Sequence, residues 1–252
     1  MADSGEMTFW DHLEELRGNL FRMIAVYGVA VIVLFFFKGF LFDNVVLAPS
    51  QSDFYLYRLL NDEFSIKLIN IEVAAQFMIH MKITFICALI VTFPYLVFEV
   101  WRFVAPALYE SEKKGVMKAF LFASALFYTG VAVGYFIVFP LMLNFFSGYQ
   151  VSADIPNTFS LSSYISMFTS MVLIFGIVFE FPTIAAGLSA IGILSKETLK
   201  SFRRHAICGV LILAALITPS GDPFSLLIVS VPLYFLYEFS ILICRNSDQS
   251  IE

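Results

Sequence analysis

Hydrophobic residues in this chain gather into six runs that are separated by polar stretches. A helix needs about 20 apolar residues to cross the ~30 Å hydrocarbon core of a bilayer, and most of the runs reach that length. The pattern therefore predicts six transmembrane helices in a single polytopic membrane domain of 252 residues. The predicted spans are residues 20–41, 73–101, 119–143, 164–193, 206–217 and 224–244.

The fifth and sixth runs differ from the others because a short polar turn, residues 218–222, joins them. The run 206–217 has only 12 residues, so it rises about 18 Å at 1.5 Å per residue. We therefore expect helices 5 and 6 to form a short hairpin that does not reach the full depth of the bilayer.

Composition strengthens the membrane assignment. The chain is 60% hydrophobic and only 14% charged, whereas a soluble domain carries about 25% charged residues. The three cysteines form no CxxC pair and all lie in apolar runs, where a buried packing role is the simplest reading. We therefore predict an all-α integral membrane protein with no metal site and no cofactor.

The distribution of lysine and arginine predicts the orientation. Eleven of these residues flank the runs on the side that holds both termini, and three lie on the other side. Cytoplasmic segments carry the excess of positive charge. Both termini are therefore expected in the cytoplasm.

Carboxylates nevertheless occur in two places on that basic side. Glu14 and Glu15 precede the first run, on a helix that the residues after Thr8 are expected to begin, and Glu110 and Glu112 follow the second run. The first of these helices should lie along the membrane surface and lead into the first span. Each acidic group could be a solvated polar face, or the two could form one pocket for a basic ligand, and sequence spacing does not decide between them.

Glu180 is the most unusual charge, because it lies near the middle of the fourth run. An ionisable residue at membrane depth indicates a functional site. Pro182, two residues later, removes a helical hydrogen bond and should bend the helix there. The alternative is a neutral Glu180 that only hydrogen-bonds within the bundle.

Three further ionisable residues occupy the second run. Lys82 and His80 lie in its outer part, from which their side chains could reach the interface. Glu99 lies near its cytoplasmic end, where we expect the carboxylate to meet water.

These charges leave two classes of function open. One is a receptor for a basic ligand at the cytoplasmic face, and the other is a proton-coupled small-solute transporter that uses Glu180. No HExxH, GxSxG or P-loop motif is present, so the sequence gives no support to a membrane protease or an ATPase. No catalytic residue is expected.

Five motifs, taken in order, are similar to those of one protein family. The chain resembles TatC, the C subunit of the twin-arginine protein translocase, from about Phe9 to Arg245. The motifs are HLEELR (12–17), AP (48–49), WRFVAPALYESEK (101–113), FEFP (179–182) and TPSGDPFS (218–225).

The resemblance implies particular residue roles. Glu15 and Glu112 correspond to the pair that receives the two arginines of a signal peptide, and Phe103 lies in the adjoining part of the recognition site. Glu14 stands beside Glu15, and which of these two contributes more to the contact is left open. Pro49 matches a proline of the outer cap.

The resemblance also implies an architecture and partners. Glu180 would lie inside the concave face of a glove-shaped bundle in the bacterial cytoplasmic (inner) membrane. The implied function is binding of twin-arginine signal peptides of folded precursors and their export by the proton-motive force. The implied partners are single-span subunits like TatA and TatB and further copies of the chain.

Overall fold

The computed structural model of the protein describes residues 9–60, 64–104, 110–152, 154–155, 157–190, 192–218 and 221–244. Helices dominate this part of the chain, as predicted. They are α1 (Phe9–Phe36), α2 (Tyr55–Leu60), α3 (Ala75–Val104), α4 (Glu110–Val133), α5 (Phe139–Gly148), α6 (Leu161–Val178), α7 (Phe181–Ala190), α8 (Lys196–Ser201), α9 (Arg203–Ile217) and α10 (Pro223–Ile243). Two π-helical turns, Phe40–Val46 and Gly134–Val138, and a 3₁₀ turn, Ala48–Ser50, complete the helical elements.

Five helical segments of the described chain are long and apolar enough to cross a membrane. Two of the five, Ala119–Gly148 and Leu161–Ser189, contain a junction between helices. The segments are Leu13–Phe36, Ala75–Phe103, Ala119–Gly148, Leu161–Ser189 and Pro223–Ile243. The fifth predicted span, 206–217, corresponds to α9, whose 15 residues rise about 22 Å and stay short of the hydrocarbon thickness. The expected shortness therefore applies to α9, whereas α10 has 21 residues and is long enough to span.

The acidic N-terminal stretch and the first span are a single helix. No break interrupts α1 between Phe9 and Phe36, so the predicted surface helix is not a separate element. The chain is helical from Phe9 onwards, as expected, while Thr8 lies outside the described residues. The 28 residues of α1 extend about 42 Å, so its first turns continue beyond the hydrocarbon core.

The fourth span breaks at the predicted position. Helix α6 ends at Val178 and α7 begins at Phe181, with Glu180 in the intervening turn. Pro182 explains the break because its ring nitrogen cannot donate to the preceding helical turn. The two halves of the span therefore meet at an ionisable residue.

Helices α4 and α6 approach unusually closely through glycines. A Cβ atom on Gly130 would lie 2.4 Å from the carbonyl oxygen of Phe175, and one on Gly134 would lie 2.8 Å from that of Met171. Gly176 makes the corresponding close approach from α6, because a Cβ atom on it would lie 2.9 Å from the Phe127 ring. Small residues at such crossings let helix backbones pack directly in a membrane.

The outer loops form a cap with a buried core. The expected short helix is present as α2, and a two-residue parallel ladder, Leu68–Ile69 with Phe159–Ser160, joins the first loop to the second. The sequence pattern did not predict this ladder. Its two strands are too short to show an alternating pattern.

Tyrosine hydroxyls hold the cap together and attach it to the bundle. Tyr57, Tyr135 and Tyr164 donate to the carbonyl oxygens of Pro49, Val45 and Val46 at 3.0, 2.8 and 2.7 Å. Because these carbonyls lie in irregular backbone, they need partners other than a regular helix.

Candidate functional site

The predicted recognition residues lie on three helix ends. Glu14 is exposed and Glu15 half-buried on the first turns of α1, and Phe103 is half-buried in the last turn of α3. Glu112 belongs to the first turn of α4, and its side chain lies outside the described part of the chain. The structure therefore gives the helix position of Glu112 but no distance between the two carboxylates.

Contacts between α1 and α3 fix their relative register. Arg22 binds Glu99, and further along the helices the rings of Phe35 and His80 stack with centroids 4.4 Å apart. The helices are therefore antiparallel. At 1.5 Å per residue, the Arg22–Glu99 pair places Glu15 about 10 Å beyond the level of Glu99, towards the start of α1, and the Phe35–His80 pair places it about 2 Å beyond that level.

A second register relates α3 to α4. The rings of Phe93 and Phe127 stack with centroids 3.6 Å apart, and these helices are also antiparallel, since Tyr128 donates to the carbonyl of Ile90. Counting back from Phe127 places the backbone of Glu112 about 13 Å beyond Glu99. The backbones of Glu15 and Glu112 therefore both lie beyond the level of Glu99, at the end of the bundle where α1 and α4 begin.

Further into the bundle lies an ion pair between the partly exposed Arg22 and the buried Glu99, which sequence reasoning missed. The Arg22 Nε donates to the two Glu99 oxygens at 3.2 and 3.3 Å, and Nη2 donates to Glu99 Oε2 at 3.1 Å. The Tyr95 hydroxyl donates to Glu99 Oε1 at 2.7 Å, and Asn19 Oδ1 accepts from Arg22.

The expectation that the Glu99 carboxylate meets water is therefore wrong. Its side chain is 2% exposed, because it points into the α1–α3 contact and not away from the bundle. Position along the chain indicated the depth of Glu99 correctly. It could not indicate which side of α3 the residue occupies.

The same chemistry recurs between α9 and α10. Glu238 accepts from Arg203 at 2.6 Å and from the Tyr234 hydroxyl at 2.9 Å. In both clusters the tyrosine precedes the glutamate by four residues, which places the two side chains on one helix face. A Tyr-x-x-x-Glu spacing near the end of an apolar run is the signal that could have revealed both.

Glu180 lies in the broken span as predicted, and is half-buried. Its Oε1 atom and the neighbouring Thr183 hydroxyl are both buried, and neither has a hydrogen-bond partner within the described part of the chain. The break thus places these polar groups at membrane depth.

The remaining residues that the sequence analysis singled out are Pro49, Lys82 and His80. Pro49 is buried in the 3₁₀ turn of the outer cap, where Tyr57 binds its carbonyl. Lys82 is exposed, and the His80 ring is packed against Phe35. Among the residues that the structure describes, no three His, Cys, Asp or Glu side chains are grouped so that they could hold a metal ion.

The sequence and the fold both match one family. The profile of the family described as Sec-independent protein translocase protein (TatC) matches residues 11–232. The chain belongs to the TatC family. The resemblance found in the five motifs is thereby confirmed.

TatC relatives match nearly end to end. The chain is 36% identical to the Sec-independent protein translocase protein TatC of Blattabacterium sp. subsp. Periplaneta americana (strain BPLAN), over 96% of each chain. It is 34% identical to TatC of Escherichia coli (strain K12), covering 93% of this chain and 86% of that protein. The similarity therefore includes both acidic regions and the broken span.

Solved TatC structures share the fold. A crystal structure described as the twin arginine translocase receptor TatC aligns with a TM-score of 0.74 at 31% sequence identity, over 92% of this chain and 97% of that one. A second, in DDM, aligns with a TM-score of 0.77 at 30% identity, over 93% and 99%. The architecture described above is that of the TatC family.

Proposed function

We propose that this protein is the receptor subunit of a twin-arginine translocase and that Glu15 and Glu112 together bind the two arginines of a signal peptide. The observation that carries the proposal is that both positions lie on neighbouring helix ends at the same end of the bundle, in a chain of the TatC family. The solved relatives are described as twin-arginine translocase receptors. In this role the protein is a binding and assembly subunit, not an enzyme, and it needs no cofactor.

The chemistry of the ligand explains why carboxylates occur on an otherwise basic face. A guanidinium remains charged and donates two parallel hydrogen bonds to one carboxylate. Lysine has a compact ammonium without this planar fork. Two carboxylates at the same end of the bundle therefore favour a ligand with two arginines over one with two lysines, and Phe103 at the end of α3 offers an adjoining apolar surface.

The orientation follows from the excess of lysine and arginine on the side that holds both termini. We propose that the protein is located in the bacterial cytoplasmic membrane, with that side in the cytoplasm where precursors are made. Its proposed partners are signal peptides of folded precursors, single-span subunits like TatA and TatB, and further copies of the chain. Export would be driven by the proton-motive force.

The small-solute transporter finds no support among the relatives. The matching family and the proteins named above are all described as protein translocase subunits. Glu180, the residue that suggested the transporter, lies in a part of the chain that these relatives share.

A peptide titration tests the proposal. Labelled twin-arginine signal peptide is titrated against the purified protein in detergent, with Glu15→Gln and Glu112→Gln as the variants. We expect each variant to bind at least about tenfold more weakly, which is about 1.4 kcal/mol. Losing one partner of a partly desolvated ion pair costs about 2–5 kcal/mol, whereas an exposed pair contributes under about 1 kcal/mol. The size of the loss therefore distinguishes a pocket from a solvated acidic face.

Matched controls make the result specific. Glu72→Gln removes an exposed carboxylate in the first outer loop and should leave binding unchanged. Glu14→Gln measures what the neighbouring carboxylate contributes. A lysine-pair peptide should bind native protein more weakly, and added salt should weaken binding of either peptide. If both the Glu15 and the Glu112 variant bind within twofold of native, the proposed recognition site is wrong.

A further inference from the structure

Arg22 is a guanidinium built into the helix that carries the proposed recognition carboxylate. It follows Glu15 by seven residues, which is two helical turns, so both lie on one face of α1. Helical side chains lean towards the N-terminus of their helix. Arg22 therefore extends towards Glu15 and not away from it.

The residue between Glu15 and Arg22 on this face has no side chain. The residue one turn before Arg22 is Gly18, and the Arg22 Nη1 atom lies 3.6 Å from the position that a Cβ on Gly18 would occupy. The Glu15 carboxylate also interacts electrostatically with the Arg22 guanidinium. Arg22 thus has the chemistry and the position to act as an internal competitor for an arginine ligand of Glu15.

Glu99 holds the guanidinium towards α3. Its carboxylate accepts from both Nε and Nη2 of Arg22, and it is itself oriented by the Tyr95 hydroxyl at 2.7 Å. Asn19 accepts from the same Nη2 atom. Because the Glu99 side chain is 2% exposed, its ion pair is screened less than an exposed pair with Glu15 would be.

We infer that Glu99 is a positioning residue that keeps Arg22 away from Glu15 and so leaves the Glu15 carboxylate free for an arginine of the signal peptide. This inference rests on the proposed function, because it assigns Glu15 to peptide binding. Glu99 itself does not contact the peptide. The cluster of Tyr95, Glu99 and Asn19 sets the affinity of the site by holding the internal arginine.

Neutralising Glu99 releases the competitor. In Glu99→Gln the Arg22 guanidinium loses its buried partner and pairs with Glu15, so a twin-arginine peptide should bind at least fivefold more weakly. In Arg22→Gln/Glu99→Gln the competitor is gone as well, and binding should return to within twofold of native. Rescue by the second substitution separates this role from a simple loss of contact between α1 and α3, which the double variant would not restore.

Glu238→Gln is the matched control. Like Glu99, Glu238 binds one arginine and one tyrosine, which are Arg203 and Tyr234. This cluster lies between α9 and α10. Peptide affinity should not change in this variant. If Glu99→Gln does not accumulate as folded protein, Tyr95→Phe loosens the same carboxylate more mildly. It should weaken peptide binding two- to threefold, and Arg22→Gln should again reverse the effect.

A measurement without peptide keeps this inference separate from the proposed function. Glu15→Gln should lower the unfolding temperature by at least about 2 °C more in the Glu99→Gln background than in native protein, because only there does Arg22 pair with Glu15. This result can hold even if Glu15 proves not to bind peptide. The inference is overturned if Glu99→Gln binds within twofold of native, if the double variant stays as weak as the single one, or if Glu15→Gln has the same thermal effect in both backgrounds.

Discussion

Gly130 lies against the backbone of Phe175, so closely that a Cβ atom at this glycine would be 2.4 Å from the Phe175 carbonyl oxygen. The obstacle is backbone, and it can move only if α6 moves relative to α4. We therefore expect Gly130→Ala to destabilise the protein by about 3 kcal/mol, the upper part of the range for overpacked sites. Thermal unfolding of the purified protein in detergent measures the loss.

Gly209→Ala is the control for the intrinsic preference of alanine over glycine in a helix. A Cβ at Gly209 meets no atom within 4 Å, so this variant should be as stable as native or about 1 kcal/mol more stable. Equal unfolding temperatures for Gly130→Ala and native protein would contradict the close helix approach.

The outer cap should depend on the Tyr164 hydroxyl. Tyr164 is 2% exposed and donates to the Val46 carbonyl at 2.7 Å. Tyr164→Phe leaves that buried carbonyl without its donor, which costs about 1–3 kcal/mol. Tyr55→Phe removes a hydroxyl from a side chain that is 67% exposed and should cost nothing measurable. Chemical denaturation of both variants gives the comparison, and similar midpoints for the two would show that the cap does not need this bond.

Glu180 should matter for transport through its polarity. Glu180→Gln keeps the size of the side chain and a hydrogen-bonding group beside Thr183, so export of a twin-arginine precursor should remain close to native. Glu180→Ala removes both, and we expect export at least fivefold slower. The assay uses cells from which the gene for their own TatC protein has been deleted.

The fold of each Glu180 variant is checked by its elution in detergent. Ile177→Ala, an exposed position just before the break, serves as the control for truncation of a side chain. Full export by both Glu180 variants would remove any role for this carboxyl group, and unfolding of both would make its role structural.

The short helix α9 should bring water deep into the bilayer. Leu216 is in its last turn and is 79% exposed, and the helix is about 8 Å shorter than the hydrocarbon core. Local thinning of the bilayer is the usual response to such a mismatch. In a background without the native cysteines, Leu216→Cys should react with a water-soluble maleimide, whereas Leu211→Cys, in mid-helix, should not. Equal protection of both positions would indicate that α9 spans a bilayer of normal thickness.

Much of the architecture could be predicted because it is local in the chain. The apolar runs define the helices, Pro182 breaks the fourth span, and the short fifth run gives a short α9. These features depend on the composition of consecutive residues and on the hydrogen bond that a proline cannot make. The motifs around Glu15 and Glu112 indicated the family for the same reason, since they are contiguous stretches.

The buried cluster at Glu99 shows where local reasoning ends. An apolar run tells how deep a residue lies, but all sides of such a helix have similar composition, so the side that faces a neighbour is not marked. Arg22 and Glu99 are 77 residues apart, and only the packing of α1 against α3 brings them together.

The sequence by itself determined that the protein is a membrane protein, that its apolar runs are helical, that the fourth run breaks at Pro182, and which family motifs it carries, because each depends on neighbouring residues. The tertiary structure decided that Gly130 contacts the Phe175 backbone, that tyrosine hydroxyls hold the outer cap, and that Arg22 binds Glu99. These contacts join residues far apart in the chain. They are fixed by helix register and by the high cost of leaving a polar group unpaired inside the bundle.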